Sequence, residues 1–217
     1  MSQTSIRLAA TKNDLDAIFA FRYRIYIDEM GRKQKYADHA LRLIRDPLDD
    51  TGYNILASSG GSVVGCVRVN LGRDGGLDYY RNLLNMDAVG KDCPTRVALC
   101  TRLMVAPKFR KSTLAVRLSA ACFDIGFSKG VLWNFIDCND HLVGFFTKLG
   151  YEYLHKCCHE EYGEVNAMRF NLSLDALRSN KSIFLHNAER IIRAATDPVA
   201  SLSWQGSDEG RAFSPTG

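Results

Sequence analysis

With 217 residues, 46% of them apolar and 24% charged, the chain carries the core-forming side chains of one globular domain or two small lobes. Its net charge of +4 comes from Lys and Arg spread along the sequence without a basic run interleaved with aromatics, which argues against nucleic acid and leaves an acidic protein partner admissible. No segment approaches the roughly 18 consecutive apolar residues of a membrane span, and Met1-Ser-Gln-Thr-Ser5 has no apolar leader core, so a cytoplasmic protein without a transmembrane segment is expected.

In chain order, Ser5 to Ala10 reads as a first strand. Asn13 or Asp14 can cap a helix in which Leu15, Ile18, Phe19, Phe21 or Arg22, and Ile25 recur at helical spacing, with Arg22 and Arg24 among aromatics. Gly31 to Asp46 is polar and basic, an irregular or partly helical connector. Tyr53 to Ser58 and Val63 to Leu71 flank Ser59-Gly-Gly-Ser62, the signature of an antiparallel hairpin. Asp74-Gly-Gly76 breaks the chain, Leu77 to Met86 is short and amphipathic, and a polar loop runs to Pro94. A strand over 97–105, a helix from about Ser112 to Lys129 ended by Gly130, a strand over 131–137 and a short helix stopped by Gly150 give an alternating order. Tyr151 to His155 and Val165 to Leu172 read as a last strand pair, and Asp175 to Ala195 as helix. Beyond Asp197 the Ser, Gly and Pro content rises. The expected division is a domain over 1–178, a C-terminal helix over 179–196 and a flexible tail over 197–217.

Seven cysteines (66, 93, 100, 122, 138, 157 and 158) are odd in number and mostly lie in apolar runs, the pattern of reduced core thiols. Cys157-Cys158-His159, with His155 close by, has no second ligand pair at finger-like spacing, so no metal is expected. His39, His141 and His186 read as surface residues.

The strand Val97–Val105 feeds a helix through the basic turn Arg110-Lys-Ser-Thr-Leu-Ala115, which aims backbone N–H groups and a positive helix end at one point and suits a phosphate-bearing ligand. Leu103-Met-Val-Ala-Pro-Lys-Phe-Arg110 ahead of that helix, with Asn139 and then Phe146-Thr-Lys-Leu-Gly-Tyr151, resembles the GNAT acyltransferase superfamily over residues 5–172. The resemblance implies an α/β (α+β) GNAT fold: one mixed sheet of six to seven strands flanked by helices, with two parallel strands splayed to admit a pantetheine arm. It also implies that Leu103, Met104 and Val105 bind that arm, and that Arg110, Lys111, Ser112, Thr113, Leu114 and Ala115, with Asn139, lie along the pantetheine and its phosphate. Thr113 stands where the superfamily's pyrophosphate loop has glycine, and a β-carbon there narrows the approach. A single phosphodiester on an acyl carrier protein then fits better than coenzyme A, so an acyl-phosphopantetheine thioester is the expected donor substrate and no tightly bound cofactor is expected.

Phe21-Arg-Tyr-Arg-Ile-Tyr26, Asp46-Pro-Leu-Asp-Asp-Thr-Gly-Tyr53, Val64-Gly-Cys-Val-Arg68 and Thr101-Arg102 resemble the pattern of N-acyl amino acid synthases and acyl-homoserine-lactone synthases. That resemblance implies an acceptor pocket from Arg24, Tyr26 and Arg68, a catalytic set including Arg102, Asp46 and Asp49 (or Asp50 in an alternative register), and fatty-acyl transfer to the amine of an amino acid or similar small amine. Three other readings stay open: a lactone synthase using S-adenosylmethionine, disfavoured by Gly31-Arg-Lys33 where a tryptophan is usual; a coenzyme A-dependent acetyltransferase; and a non-catalytic acyl-binding module.

Acyl transfer needs an unprotonated amine, a polarised thioester carbonyl and a proton for the leaving thiolate. The family's Glu, three residues before the strand arginine, is Leu99 here, leaving Asp46, Asp49, Glu152, His155 and Glu164 as candidate bases. Phe146 replaces the tyrosine that serves the leaving sulfur, so Tyr151, Cys100 or solvent must substitute, although Cys100 in an apolar strand also reads as an inert core thiol. Backbone N–H groups of Met104 and Val105 are the candidate oxyanion donors. Arg68 and Arg102, each in an apolar strand, require acidic partners, as a buried ion-pair network or as a clamp on the acceptor's carboxylate.

Overall fold

The computed structural model describes residues 4–196. Strand β1 (Ser5–Leu8) pairs with β4 (Tyr53–Ser59), which turns through Gly60 and Gly61, both at positive φ, into β5 (Ser62–Leu71). Two left-handed residues match the twist of a two-residue hairpin, so glycines are required there. β6 (Val97–Val105) follows β5 antiparallel, β7 (Trp133–Cys138) lies parallel to β6, and the hairpin β8 (Glu152–His159) and β9 (Gly163–Asn171) completes a seven-stranded sheet of order β1-β4-β5-β6-β7-β9-β8. The last strand pair is thus longer than its sequence pattern alone suggests.

One face of the sheet packs against α3 (Leu114–Ser128), α4 (Asp140–Lys148) and α6 (Leu185–Thr196) through residues such as Val67, Cys100, Leu118, Phe123 and Phe170. The other is covered by α1 (Lys12–Tyr23), its π-helical continuation Arg24–Glu29 and α2 (Asp78–Leu83). Burying both faces explains why β5 to β7 read as nearly continuous apolar runs.

Local chemistry departs from expectation in four places. Thr11, rather than Asn13 or Asp14, caps α1, in a reciprocal box with Asp14. The 31–46 connector is not helical, and instead holds the short pair β2 (Ala37–Asp38) and β3 (Leu43–Ile44). The C-terminal helical stretch is two helices, α5 (Leu174–Ser179) and α6, because Asn180 to Phe184 turns the chain. α6 then docks on α3 through Asn187 and Arg190 to Asp124. The expected tail over 197–217 lies outside the described residues. Among the described residues no helix is long and apolar enough to cross a membrane.

Two features of the sheet create a site. The parallel ladder between β6 and β7 holds only from Val97–Trp133 to Leu99–Phe135, after which the strands diverge while β7 stays paired to β9. β6 also carries a bulge: Cys66 pairs with Met104 and Arg68 with Thr101, so Val67 faces both Arg102 and Leu103. Arg102 sits there at φ +61°, a left-handed conformation uncommon for a residue with a β-carbon.

Candidate active site

The divergence of β6 and β7 opens a cavity of about 770 Å³, within the size range of small-molecule sites. On the α3 side its wall includes Cys100, Ser119, Cys122, Phe146 and Tyr151; on the other side it includes Tyr26, Tyr80, Arg102, Asp137 and Tyr162. The first half is apolar and the second is polar.

The bulge decides that division. Plain alternation would put Arg102 on the same face as Cys100, two residues earlier. The extra residue instead leaves Arg102 on the face of Thr101, whose hydroxyl accepts from Arg68 Nε at 3.2 Å. Cys100 stays on the α3 face, where its sulfur accepts from Asn134 Nδ2 at 3.1 Å and Tyr151 OH accepts from the same nitrogen at 2.9 Å. The predicted catalytic pair Cys100 and Arg102 is therefore split across the sheet.

Behind Arg102 lies a buried ion-pair network. Asp46 Oδ1 accepts from Arg68 Nη1 and Asp46 Oδ2 from Arg102 Nη2, both at 2.6 Å. Asp49 accepts from Arg22 Nη1 with both oxygens at 2.8 Å, and lies 2.9 Å from Arg68 Nη1. Arg22 Nη2 also donates to Asn54 Oδ1 at 2.6 Å. The segment Asp46-Pro-Leu-Asp49 positions both acids through a capping box: Asp46 accepts from Leu48 N–H and Asp49 from Asp46 N–H. Gly52 makes room, since a β-carbon there would stand 2.7 Å from both Arg68 Cδ and the Leu48 carbonyl oxygen.

Burial pushes both carboxyls up in pKa, but the guanidiniums prevail: Arg68 and Arg102 hold Asp46 at about 2, and Arg22 with Arg68 lowers Asp49. Acids so satisfied do not accept a substrate proton. Asp46, Asp49 and Arg68 form the wall behind the cavity rather than its lining, a correction to their expected contact with substrate. Asp50, the alternative register, pairs with Arg45 at the surface. Three guanidiniums face two carboxylates, and the surplus charge is on the cavity side, where Arg102 Nη1 donates to Tyr162 OH at 2.7 Å and Gln34 Oε1 at 3.1 Å.

Arg24 is also corrected. Its guanidinium donates to the Val63 carbonyl and lies over Phe21 outside the cavity, while Arg22, two residues earlier on the buried stripe of α1, joins the network. Tyr26 does line the cavity, stacked on Tyr162 at 6.1 Å and beneath the Arg102 guanidinium. Of the remaining candidate bases, Glu152 pairs with Arg169, Glu164 with Lys156, and His155 Nε2 meets the Leu83 carbonyl; none lines the cavity.

The residues expected to hold the acyl donor lie partly on the same cavity. Leu103, Met104, Val105, Arg110, Lys111, Ser112, Ala115 and Asn139 border the cavity, whereas Thr113 and Leu114 do not. Leu114 is buried and its N–H is taken by Ser112 Oγ. Arg110 is held by the Val105 carbonyl and Glu29, so Lys111 and the free N–H groups of the first α3 turn are the remaining anion donors. Ala106 N–H donates to Val64 of β5; by alternation Met104 N–H also faces β5, and Val105 N–H points into the gap.

Sequence reasoning missed Tyr80, Tyr162, Gln34, Arg32, Glu29 and Asp137. Tyr162 reaches Arg102 from the β8–β9 turn, 60 positions away in sequence, with no local signal. Asp137, an acid near the end of the apolar run of β7, had only its residue type as a signal; its place on the cavity follows from the end of the ladder at Phe135.

A mixed sheet with two parallel strands splayed over a cavity, an arginine-lined polar half and a helix N-terminus at its mouth defines a GNAT-type acyltransferase fold. The family model of the N-acyl amino acid synthase FeeM matches residues 17–175, and the chain belongs to that family of acyltransferases. FeeM itself, an N-acyl amino acid synthase from uncultured soil microbes, superposes with a TM-score of 0.61 at 12% identity, covering 86% of this chain and 97% of that one. The coenzyme A-dependent acyl-homoserine lactone synthase MesI gives 0.61 at 19% identity (88% and 94% covered), and BjaI, solved with S-adenosylmethionine and isopentyl-CoA, gives 0.64 at 18% (87% and 90%). No curated protein sequence matches significantly.

Proposed function

We propose that this enzyme moves a fatty acyl group from an acyl carrier protein thioester to the α-amine of an amino acid, giving an N-acyl amino acid. The observation that carries the reading is the two-sided cavity: an apolar half fit for an acyl chain meets a polar half with surplus positive charge. Arg32 supports an amino-acid acceptor. It lines the polar half, lies over the rings of Tyr26 and Tyr162, and has no ion pair among the described residues, so its planar fork is available to a carboxylate. The donor phosphate would meet Lys111 and the α3 N-terminus, a set suited to one phosphodiester. Arg102 holds Tyr162 and Tyr26 in place beside the acceptor, and Val105 N–H offers a hydrogen bond to the oxyanion.

The test is incubation of purified protein with acyl-loaded carrier protein or acyl-coenzyme A and a panel of amino acids, read by mass spectrometry. N-acyl amino acid from the carrier-protein donor is expected, with Arg32→Gln raising the KM for the amino acid about 10-fold or more. Methylthioadenosine release from S-adenosylmethionine would instead establish a lactone synthase. Absence of product with every donor and amine would overturn the proposal.

A further inference from the structure

Two carboxylates border the cavity among the described residues, Glu29 and Asp137. Glu29 is neutralised at the mouth by Arg110 Nη2 at 2.5 Å. Asp137 has no ion pair among the described residues, and lies on β7 two residues past Phe135, the last residue of the parallel ladder. Continued pairing would have set it opposite Thr101; the splay leaves it on the edge of the gap, on the Arg102 side of the cavity. We propose that Asp137 is the catalytic base, the group that takes the proton from the acceptor's ammonium. This role rests on the amine-acylating function proposed above.

The surroundings suit it. The titratable and charged groups facing Asp137 are Arg102 from β6, Cys157 and His159 from β8, and Tyr79 and Tyr80 from α2. His159 does not compete for the proton: its Nδ1 accepts the Glu161 N–H at 3.0 Å, which puts the ring proton on Nε2 toward Tyr80 OH, and burial lowers its pKa. Burial raises the pKa of Asp137 and outweighs the lowering by nearby positive charge and by a backbone hydrogen bond. A carboxylate with a raised pKa in a partly desolvated pocket is a stronger base than one in water. It stands in for the glutamate whose position here is Leu99.

The protons balance. The acceptor enters as R–NH3+ and gives one proton to the Asp137 carboxylate. The free amine then attacks the thioester carbonyl, forming the C–N bond. As the C–S bond breaks, the second nitrogen proton goes to the departing sulfur, which leaves as pantetheine thiol. Asp137 returns its proton to water.

The experiment compares wild type with the near-isosteric Asp137→Asn, using glycine and aminooxyacetate as acceptors; the latter keeps the carboxylate but has a nitrogen unprotonated at neutral pH. With glycine, the variant should lose about 10²- to 10⁴-fold in kcat, along with the limb of the pH profile that rises above the ordinary carboxylate range. With aminooxyacetate the two should converge. The stability readout has a defined sign. A carboxyl whose folded pKa is raised favours folding most below its unfolded pKa, and this advantage is lost as pH rises to the folded value. Asp137→Asn should therefore gain thermal stability over wild type at pH 8 relative to pH 4. Should the variant not fold, Asp137→Glu, which keeps a carboxylate, takes its place: its rising limb with glycine must shift in pH relative to wild type while its rate with aminooxyacetate does not, and an unmoved limb would overturn the assignment. A variant within about threefold of wild type on glycine with the same limb would overturn the base assignment and leave the enzyme's function standing. Absence of N-acyl product from wild type with any amine would overturn both.

Discussion

Asp46→Asn tests whether the arginine network is buried in the energetic sense. Asp46 has a side chain only 6% exposed and bridges Arg68 and Arg102 at 2.6 Å each. Arg68 would retain Asp49, but Arg102, also 6% exposed, would lose the one ion pair it makes among the described residues. Stripping a buried charge of its partner costs about 3–5 kcal/mol. Independently, the fall of the Asp46 pKa from 3.8 to about 2 corresponds to about 2 kcal/mol of folding free energy. A loss of about 3 kcal/mol, or roughly 6–12 °C in melting temperature for a chain of this size, is expected at pH 7. Because the folded pKa is depressed, this contribution is whole above about pH 5, about half lost by pH 3 and nearly gone by about pH 2, so the gap between wild type and variant should narrow at pH 3 and close only near or below pH 2. Arg45–Asp50 is the matched control: its contact is 2.5 Å, yet both side chains are at least 60% exposed. Asp50→Asn should cost no more than about 1 kcal/mol. The assay is urea and thermal unfolding followed by circular dichroism at pH 7 and pH 3. Equal effects of Asp46→Asn and Asp50→Asn at pH 7 would refute the reasoning.

Two further outcomes are expected. Gly52→Ala, whose methyl would press on Arg68 Cδ and the Leu48 carbonyl, should destabilise by about 1–3 kcal/mol and lower turnover by displacing the Asp46–Asp49 turn; unchanged unfolding curves would contradict that crowding. Cys100→Ala should retain turnover and form no less product in a single-turnover burst, because the thiol lies across the sheet from Arg102 and accepts from Asn134; trapping of an acyl-enzyme on wild-type Cys100 by mass spectrometry would reverse that conclusion.

The fold was legible because its signals are local. Gly60-Gly61 sets a hairpin, apolar runs mark strands covered on both faces, and the strand, basic turn and helix around Arg110 mark one end of the cavity. Thr11 shows the limit even of local rules: several capping residues stood near the start of α1, and only the reciprocal bond with Asp14 chose among them. In the polar half, the sequence by itself determined which residue types are present: paired acids after a connector, and arginines within apolar strands that must find partners. It could not say which arginine turns inward, and Arg22 rather than Arg24 does so because helix pitch puts it on the stripe with Ile18 and Ile25.

Tertiary structure alone decided which carboxylate is free. Asp46 and Asp49 look like acids awaiting a substrate, yet residues 22 to 56 positions away in sequence consume them. Arg102 and Cys100 look like neighbours on one face until a bulge, which breaks the two-residue period of a strand, separates them. Asp137 looks like the last residue of a core strand, and becomes cavity wall only because its ladder ends at Phe135. Alternation, capping and turn chemistry act over a few residues and are written in the chain; charge compensation and strand divergence depend on long-range packing, and they selected the site.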